Sequence, residues 1–302
     1  MASVVLKPGH VQPVWAGHPW VFAQAVERVE GGAVAGEEVE VRDARGNFLG
    51  RGLYSPGSAI PVRILTRDRD QHIDAKLLRQ RLGTAIHRRR TLGFPSAETD
   101  AVRLVHAEGD ELPGLIVDQL GDVVAVQFAT LGMKRREESI LGALEDLVQP
   151  RAIVDRSSER AAKSEGFEAG RGVVRGDVGL SHFELREGGL RFRIPLELGQ
   201  KTGFYVDQRD LRARVAQLSN GKRVLDTYSF VGAFALVAVS GIGRADDAAL
   251  AEAQKRFQEG LPLMDAGKFE EARLKFLQAV AVLKAPSILY NLASTELKTG
   301  HE

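Results

Sequence analysis

The chain has 302 residues, 44% of them apolar and 27% charged, and its 41 Lys and Arg balance 40 acids. Bulk charge therefore identifies no polyanionic partner, and any such contact has to come from a local patch. The absence of cysteine excludes disulfides, cysteine-ligated zinc, iron–sulfur clusters and every thiolate nucleophile. Two globular domains fit this length at about 150 residues each. The longest apolar stretch, near Phe230 to Val239, is interrupted by Gly232, and falls short of the roughly 18 residues a spanning helix needs. Lys7-Pro8-Gly9-His10 stands where a signal peptide would be apolar. The expectation is a soluble cytoplasmic protein with no membrane partner.

From Met1 to about Asp70, short alternating runs sit between turn residues. Glu38-Val39-Glu40-Val41-Arg42, then Asp43-Ala44-Arg45-Gly46, then Phe48-Leu49 reads as strand, turn, strand. Further punctuation at Gly31-Gly32, Gly36 and Ser55-Pro56-Gly57 predicts a small β-barrel over residues 1–72. Trp15 and Trp20, flanking His18-Pro19, could stack on an exposed base, although in a small barrel such residues more often fill the core.

Between Ile73 and Leu92, apolar residues recur at three and four, which predicts an amphipathic helix. From Arg63 to Arg90 nine basic residues face three acids. That excess is either a solvated helix face or a phosphate-tracking patch. Strand-like runs at Val102 to Val105, Gly114 to Asp118, Val123 to Phe128 and Ile153 to Val154 surround a helix from about Arg135 to Val148. Together they predict a small α+β domain over residues 73–189. Lys134-Arg135-Arg136, immediately before Glu137-Glu138, reads as a solvated helix start.

Leu190 to Pro195 reads as a strand and Asp207 to Ser219 as a helix with Leu211, Val215 and Leu218 as its apolar stripe. Lys222 to Thr227 reads as a short buried strand ending on an acid, followed by a small-residue turn and the apolar helix Phe234 to Val239. Strand, acid, tight turn and helix are how a nucleotide-binding α/β unit opens. In such a unit Asp226 would face a cationic group. Gly232 would let backbone approach a ligand, and the helix would offer it free N–H groups. Residues 244–302 carry no strand signal. Gly260, Leu263, Gly267, Phe269, Ala272, Phe276, Ala279 and Pro286 have helix-turn-helix repeat spacing, echoed 33 residues on by Ala293 and Gly300. Such a repeat would offer a surface to a protein partner, though arrays need at least three units for stability. The seven histidines, His10 to His301, show no ligand spacing, so no metal site is expected.

Residues 1 to about 243 resemble the bacterial rRNA cytosine-C5 methyltransferases, which join a PUA RNA-binding domain, a small middle domain and an S-adenosylmethionine-binding domain. The stretches that carry the resemblance are Gly17-His18-Pro19-Trp20-Val21-Phe22, Gly36 to Arg51 with Tyr54-Ser55-Pro56, Leu112 to Asp118, Gly199 to Asp210, and Val224 to Ala235. It implies an α+β protein with an α/β portion: a PUA β-barrel, an α+β middle domain, the start of a Rossmann-like methyltransferase domain over residues 190–243, and a tetratricopeptide-like helical tail. It further implies S-adenosylmethionine as cofactor, contacted by Lys201, Thr202, Phe204, Tyr205, Asp207, Arg209, Asp226, Ser229 and Gly232. The implied partner is rRNA, contacted by Lys7, His18, Trp20, Arg51, Arg88, Arg89 and Arg90. Methylation at cytosine C5 ordinarily uses a thiolate that adds to C6. No cysteine can do so here, and the family's later acid and Asp-Pro-Pro motif are not found after Gly243. No catalytic residue is assigned, and the reading is an RNA-binding chain in which methyl transfer is lost. The alternatives are an active RNA methyltransferase that works without cysteine, and a protein that acts through its helical repeat. Residues 190–243 are expected to pack poorly, because a lone strand cannot satisfy its own edges.

Overall fold

The structure, a computed structural model, describes the chain except for residues 171, 198–201, 228–229, 243–246, 283–290, 293–294, 297 and 301–302. Compactness divides it into one unit from Met1 to Val206 and another from Asp207 to Glu302.

The first unit begins with β1 (Ser3–Leu6), the short helix α1 (Gln12–Trp15), β2 (Trp20–Val21), β3 (Val26–Glu30), β4 (Glu38–Arg42), β5 (Phe48–Tyr54) and β6 (Val62–Thr66). They form one six-stranded sheet in the order β2-β6-β5-β4-β1-β3, parallel only between β1 and β4. The predicted hairpin is β4–β5. Its valines Val39 and Val41 are fully buried, and the Asp43 carboxylate fixes the turn by accepting N–H bonds from Arg45 and Asn47 at 2.9 and 2.8 Å. Val21 from β2 and Val4 from β1 lie four strands apart in that order yet share one core with Leu6, Val14 and Val62. The sheet is thus barrel-like, while the ladder itself stays open between β2 and β3.

Then come α2 (Ala75–Thr91), β7 (Ala101–His106), β8 (Leu115–Leu120), β9 (Val123–Phe128), α3 (Leu131–Lys134), α4 (Glu137–Val148), β10 (Ala152–Asp155), α5 (Glu159–Glu165) and β11 (Gly172–Gly176). The strands order as β11-β10-β9-β8-β7, with β9 and β10 parallel. Helix α2 starts where Asp74 accepts the Leu77 N–H at 2.8 Å. Its apolar positions Leu78, Leu82 and Ile86 pack with Ile140 and Leu144 of α4 against Val105, Val117 and Val126. Leu53 and Leu65 of the barrel-like sheet join the same core. The hairpin β12 (His182–Glu187) and β13 (Leu190–Pro195) follows, burying Phe183, Leu185, Phe192 and Ile194. Only β13 was legible in the sequence.

Lys134, Arg135 and Arg136 correct the expectation of a solvated helix start. Lys134 Nζ donates to Asp155 and Glu137, both at 2.7 Å. Arg135 pairs with Glu37 at 2.7 Å, and Arg136 donates to the Gly36 carbonyl at 2.9 Å. These cations tie the barrel-like sheet to the middle domain, since Glu37 and Gly36 come from the loop before β4.

The second unit holds α6 (Arg209–Leu218), α7 (Ala233–Ile242), α8 (Asp247–Asp265) and α9 (Phe269–Val282). The strand expected at Lys222 to Thr227 does not form, and Leu225 is 86% exposed. Among the described residues no strand follows β13, so there is no ladder for it to join. The stripe expected on α6 is also turned outward, with Leu211 and Leu218 more than half exposed. Arg212 is buried instead, its guanidinium 5.8 Å from the Phe234 ring, and Ser219 Oγ donates to the Ala238 carbonyl at 2.9 Å. Helices α8 and α9 form a hairpin with Ala272, Phe276 and Ala279 at its centre. Gly260 permits this approach, because a Cβ there would lie 2.5 Å from the Phe276 ring. Pro286 and Ala293 of the expected repeat lie outside the described residues. No helix among the described residues is long and apolar enough to cross a membrane.

Candidate cofactor and nucleic-acid sites

The nine residues expected at the cofactor fall on both sides of the division at Val206. In the first unit, Thr202 is 1% exposed and its hydroxyl donates to Asp118 Oδ2 at 2.5 Å. Asp118, fully buried on β8, also receives Arg103 from β7 in a forked pair at 2.8 and 2.9 Å. A buried carboxylate is tolerated only when its charge is matched in this way. Phe204 is buried with its ring 5.2 Å from Phe192, so the loop is pinned to the sheet and to the β12–β13 hairpin. Tyr205 is half-buried. Lys201 lies outside the described residues, as does Ser229.

In the second unit, Asp207 and Arg209 lead into α6. Asp226 Oδ2 accepts the Ala235 N–H of α7 at 3.1 Å, and Leu236 N–H returns to the Gly232 carbonyl at 2.9 Å. The helix end expected to offer free N–H groups to a ligand therefore spends part of its donors within the chain. Gly232 adopts φ 69°, the left-handed region that glycine enters without cost. Asp226 retains a second carboxylate oxygen, and the Gly232 turn stands just before the same helix. Those two features fit a ligand that bears an ammonium group, as S-adenosylmethionine does.

The basic residues separate into internal and outward ones. Arg51 is 3% exposed and donates to Glu38 at 2.8 Å and to the Arg69 carbonyl at 2.5 Å. It braces the β4–β5 hairpin and is removed from the expected RNA contacts. Asp110 draws in Arg89 at 2.5 Å and Arg88 at 2.8 Å. Burial opposes the Asp110 charge, but the hydrogen bonds from Arg89 and the His106 N–H and the charges of both arginines hold its carboxyl below the ordinary value. Arg89 is thereby an internal counter-ion. Arg88 and Arg90 keep exposed surface, although Arg90 also donates to the Leu147 carbonyl at 2.9 Å. Arg79 and Arg81 are likewise engaged, with Asp146 at 2.6 Å and the Glu111 carbonyl at 2.5 Å. Of the nine basic residues read from the sequence, Arg63, Arg81 and Arg89 are drawn partly into the fold, while Arg67, Arg69, Lys76, Arg79, Arg88 and Arg90 stay exposed.

The aromatic residues near the start of the chain reach the surface to different degrees, Trp15 and His18 exposed and Trp20 and Phe22 half-buried. Trp15 is 65% exposed, against the expectation of a core position. His18, Trp20 and Phe22 form a trio with centroids 5.5 to 6.1 Å apart and Trp20 edge-on to both neighbours. Trp20 Nε1 donates to Glu108 at 2.8 Å, and Arg67 reaches the His18 carbonyl at 3.2 Å. Lys7, close in sequence, is exposed and donates to the Gln24 carbonyl. The anchoring residues Glu108, Asp110 and Asp118 were given no role from sequence, since an acid's position in the chain carries no signal of a partner distant in sequence. No group of metal-binding side chains occurs among the described residues.

Comparison with known proteins fits this arrangement. Residues 4–67 match the model of a PUA-like domain, and residues 169–283 that of an S-adenosylmethionine-dependent methyltransferase. The chain is 36% identical over 238 residues to ribosomal RNA large subunit methyltransferase I of Enterobacter sp. (strain 638), covering 79% of this chain and 60% of that protein. It is 37% identical over 240 residues to the protein of the same name from Alteromonas mediterranea, covering 80% and 60%. Among solved structures, a candidate SAM-dependent methyltransferase from Streptococcus mutans superposes with TM-score 0.68 at 18% identity, over 80% of this chain and 61% of that one. A second candidate methyltransferase, complexed with SAH, gives TM-score 0.68 at 17% identity over 80% and 60%. The fold is thus that of a PUA-like domain joined to methyltransferase-like sequence, and the chain spans about three fifths of the length of the curated relatives it matches.

Proposed function

We propose that this chain binds RNA, with rRNA as the partner class, through the rim of its barrel-like sheet. We propose further that its residues do not themselves complete methyl transfer to cytosine C5. The observation that carries the first part is the surface aromatic group: Trp15 and His18 exposed, Trp20 and Phe22 half-buried, and the Arg67 guanidinium on the His18 backbone carbonyl. Aromatic faces next to a cation are how single-stranded bases and their phosphates are held. Lys7, Arg88 and Arg90 would add phosphate contacts from exposed positions.

S-adenosylmethionine, the cofactor of the matched family, would supply an electrophilic methyl group when bound. In the second unit Asp226 would hold its ammonium and Gly232 would let backbone approach it; in the first unit Thr202 and Phe204 order their own loop. The second part rests on composition. Cytosine C5 ordinarily needs a thiolate at C6, and a chain without cysteine cannot supply one, while a serine or threonine alkoxide is far scarcer at neutral pH. Two assays on the purified chain test the two parts separately. In anisotropy titrations of a single-stranded rRNA fragment, Trp20→Ala should weaken binding about tenfold or more, and an unchanged affinity would remove the barrel rim from the reading. With radiolabelled cofactor, no methyl incorporation into rRNA is expected, and incorporation above background would establish an active enzyme that works without cysteine.

A further inference from the structure

A second polar site lies in the first unit, away from the aromatic rim. It is a cavity of about 750 Å³ where β9 and β10 end, within the range of ligand-binding clefts. Its walls include Gln127, Arg156, Ser158, Ser181, Leu196 and Glu197. The floor is rigid. Asp155, 1% exposed, accepts the Ser157 N–H at 2.8 Å, the Ser157 hydroxyl at 2.6 Å and Lys134 Nζ at 2.7 Å, while Ser157 Oγ accepts the Phe128 N–H at 2.9 Å. The charge of Asp155 is therefore already matched by Lys134.

Arg156 is different. Among the described residues its guanidinium donates once, to the Leu196 carbonyl at 2.5 Å, and its buried Nε has no hydrogen-bond partner. No carboxylate forms an ion pair with it among the described residues, which is also true of half-buried Arg136, but Arg136 donates to three carbonyls where Arg156 reaches one. Arg51, Arg63, Arg88, Arg89, Arg103 and Arg135 of the same unit each have an acid. A half-buried cation without a counter-ion is costly unless something outside the chain supplies the charge. Gln127, whose Nε2 is committed to the Arg156 carbonyl at 3.1 Å, retains its amide oxygen as an acceptor. The exposed Ser158 hydroxyl retains a donor, Glu197 brings a carboxylate, and Leu180 and Leu196 bring apolar surface. A bare phosphate would be drawn to Arg156 but repelled by Glu197. A ligand with an anionic end, a flat apolar body and hydrogen-bond donors satisfies all of them.

We infer that this cavity holds one ribonucleotide, its phosphate on Arg156, its base between Leu180 and Leu196, and its hydroxyl or amino donors toward Glu197 and Gln127. The inference deepens the RNA-binding reading and rests on it, but the site is distinct from the barrel rim. The test uses the full chain and the four ribonucleoside 5′-monophosphates, followed by saturation-transfer NMR and calorimetry, with the parent nucleosides and inorganic phosphate as controls. At least one monophosphate should bind, more tightly than its nucleoside and than phosphate. Arg156→Gln should weaken it about tenfold or more. Ser181→Trp, at an exposed position on the cavity wall, should weaken it by obstruction and decides the matter if Arg156→Gln does not fold. Trp20→Ala should leave monophosphate binding unchanged while reducing the affinity for long RNA. Absence of monophosphate binding, phosphate binding equally well, or indifference to both cavity variants overturns the inference. If monophosphate binding alone is lost from the picture, RNA binding at the rim still stands; if Trp20→Ala leaves RNA affinity intact, the rim reading fails separately.

Discussion

Ala101–His106 and residues 222–227 are similar pieces of chain, each a short apolar run broken by charged or polar residues. The first is β7, hydrogen-bonded along β8, with Val105 fully buried and its neighbour Arg103 locked onto Asp118. The second forms no strand, and Leu225 is 86% exposed. An apolar run becomes a strand when a neighbouring strand takes its backbone groups and another layer covers its face. β7 has β8 on one edge and α2 over it. No described residue of the second unit offers a ladder to 222–227.

This contrast can be broken most severely by Val105→Asp, which puts an unpaired charge at a fully buried site. The first unit should then fail to fold cooperatively, as seen in loss of its near-UV signal and denaturant transition. Next comes Asp118→Ala, which takes away the acceptor shared by Arg103 and Thr202. It should cost about 3–5 kcal/mol in chemical unfolding, and a loss below about 1 kcal/mol would show that the buried group is dispensable. Acid acts on the same unit through Asp110, whose folded-state carboxyl is held below its ordinary value of 3.8. Its contribution is present above that value and disappears as pH falls through the lowered one. Asp110→Asn should therefore be less stable at neutral pH and show a flatter acid limb. Asp226→Ala should cost only about 1 kcal/mol, the scale of a lost helix-end acceptor, with reduced amide protection at Ala235. Smallest of all is Leu225→Asp, expected within about 0.5 kcal/mol of wild type. A large effect there would show that residues 222–227 are covered in solution.

Much of the first unit was legible because its signals are local. The Glu38 to Arg42 alternation, the Asp43 turn and the three-and-four spacing of Leu78, Leu82 and Ile86 each fix an element within a few residues. The site was legible only in part. The motif singled out the loop around Thr202, yet the contact from the Thr202 hydroxyl to Asp118 that pins it joins residues 84 positions apart. Arg51, Arg89 and Arg136 looked like parts of a basic surface, because a sequence shows a cation's charge but not the carboxylate or carbonyl that absorbs it. Trp15 was misplaced for the converse reason, since hydrophobicity alone does not say which side of a small sheet a residue faces.

The sequence by itself determined the order of elements, the absence of a thiolate chemistry and the motifs shared with the methyltransferases, all properties of neighbouring residues or of composition. Tertiary structure alone decided which cations are spent, which aromatics reach solvent, whether residues 222–227 become a strand, and that Arg156 stands in a cavity with no ion pair among the described residues. Those outcomes depend on groups brought together across long separations, where burial makes an unmatched charge or an unpaired backbone group expensive.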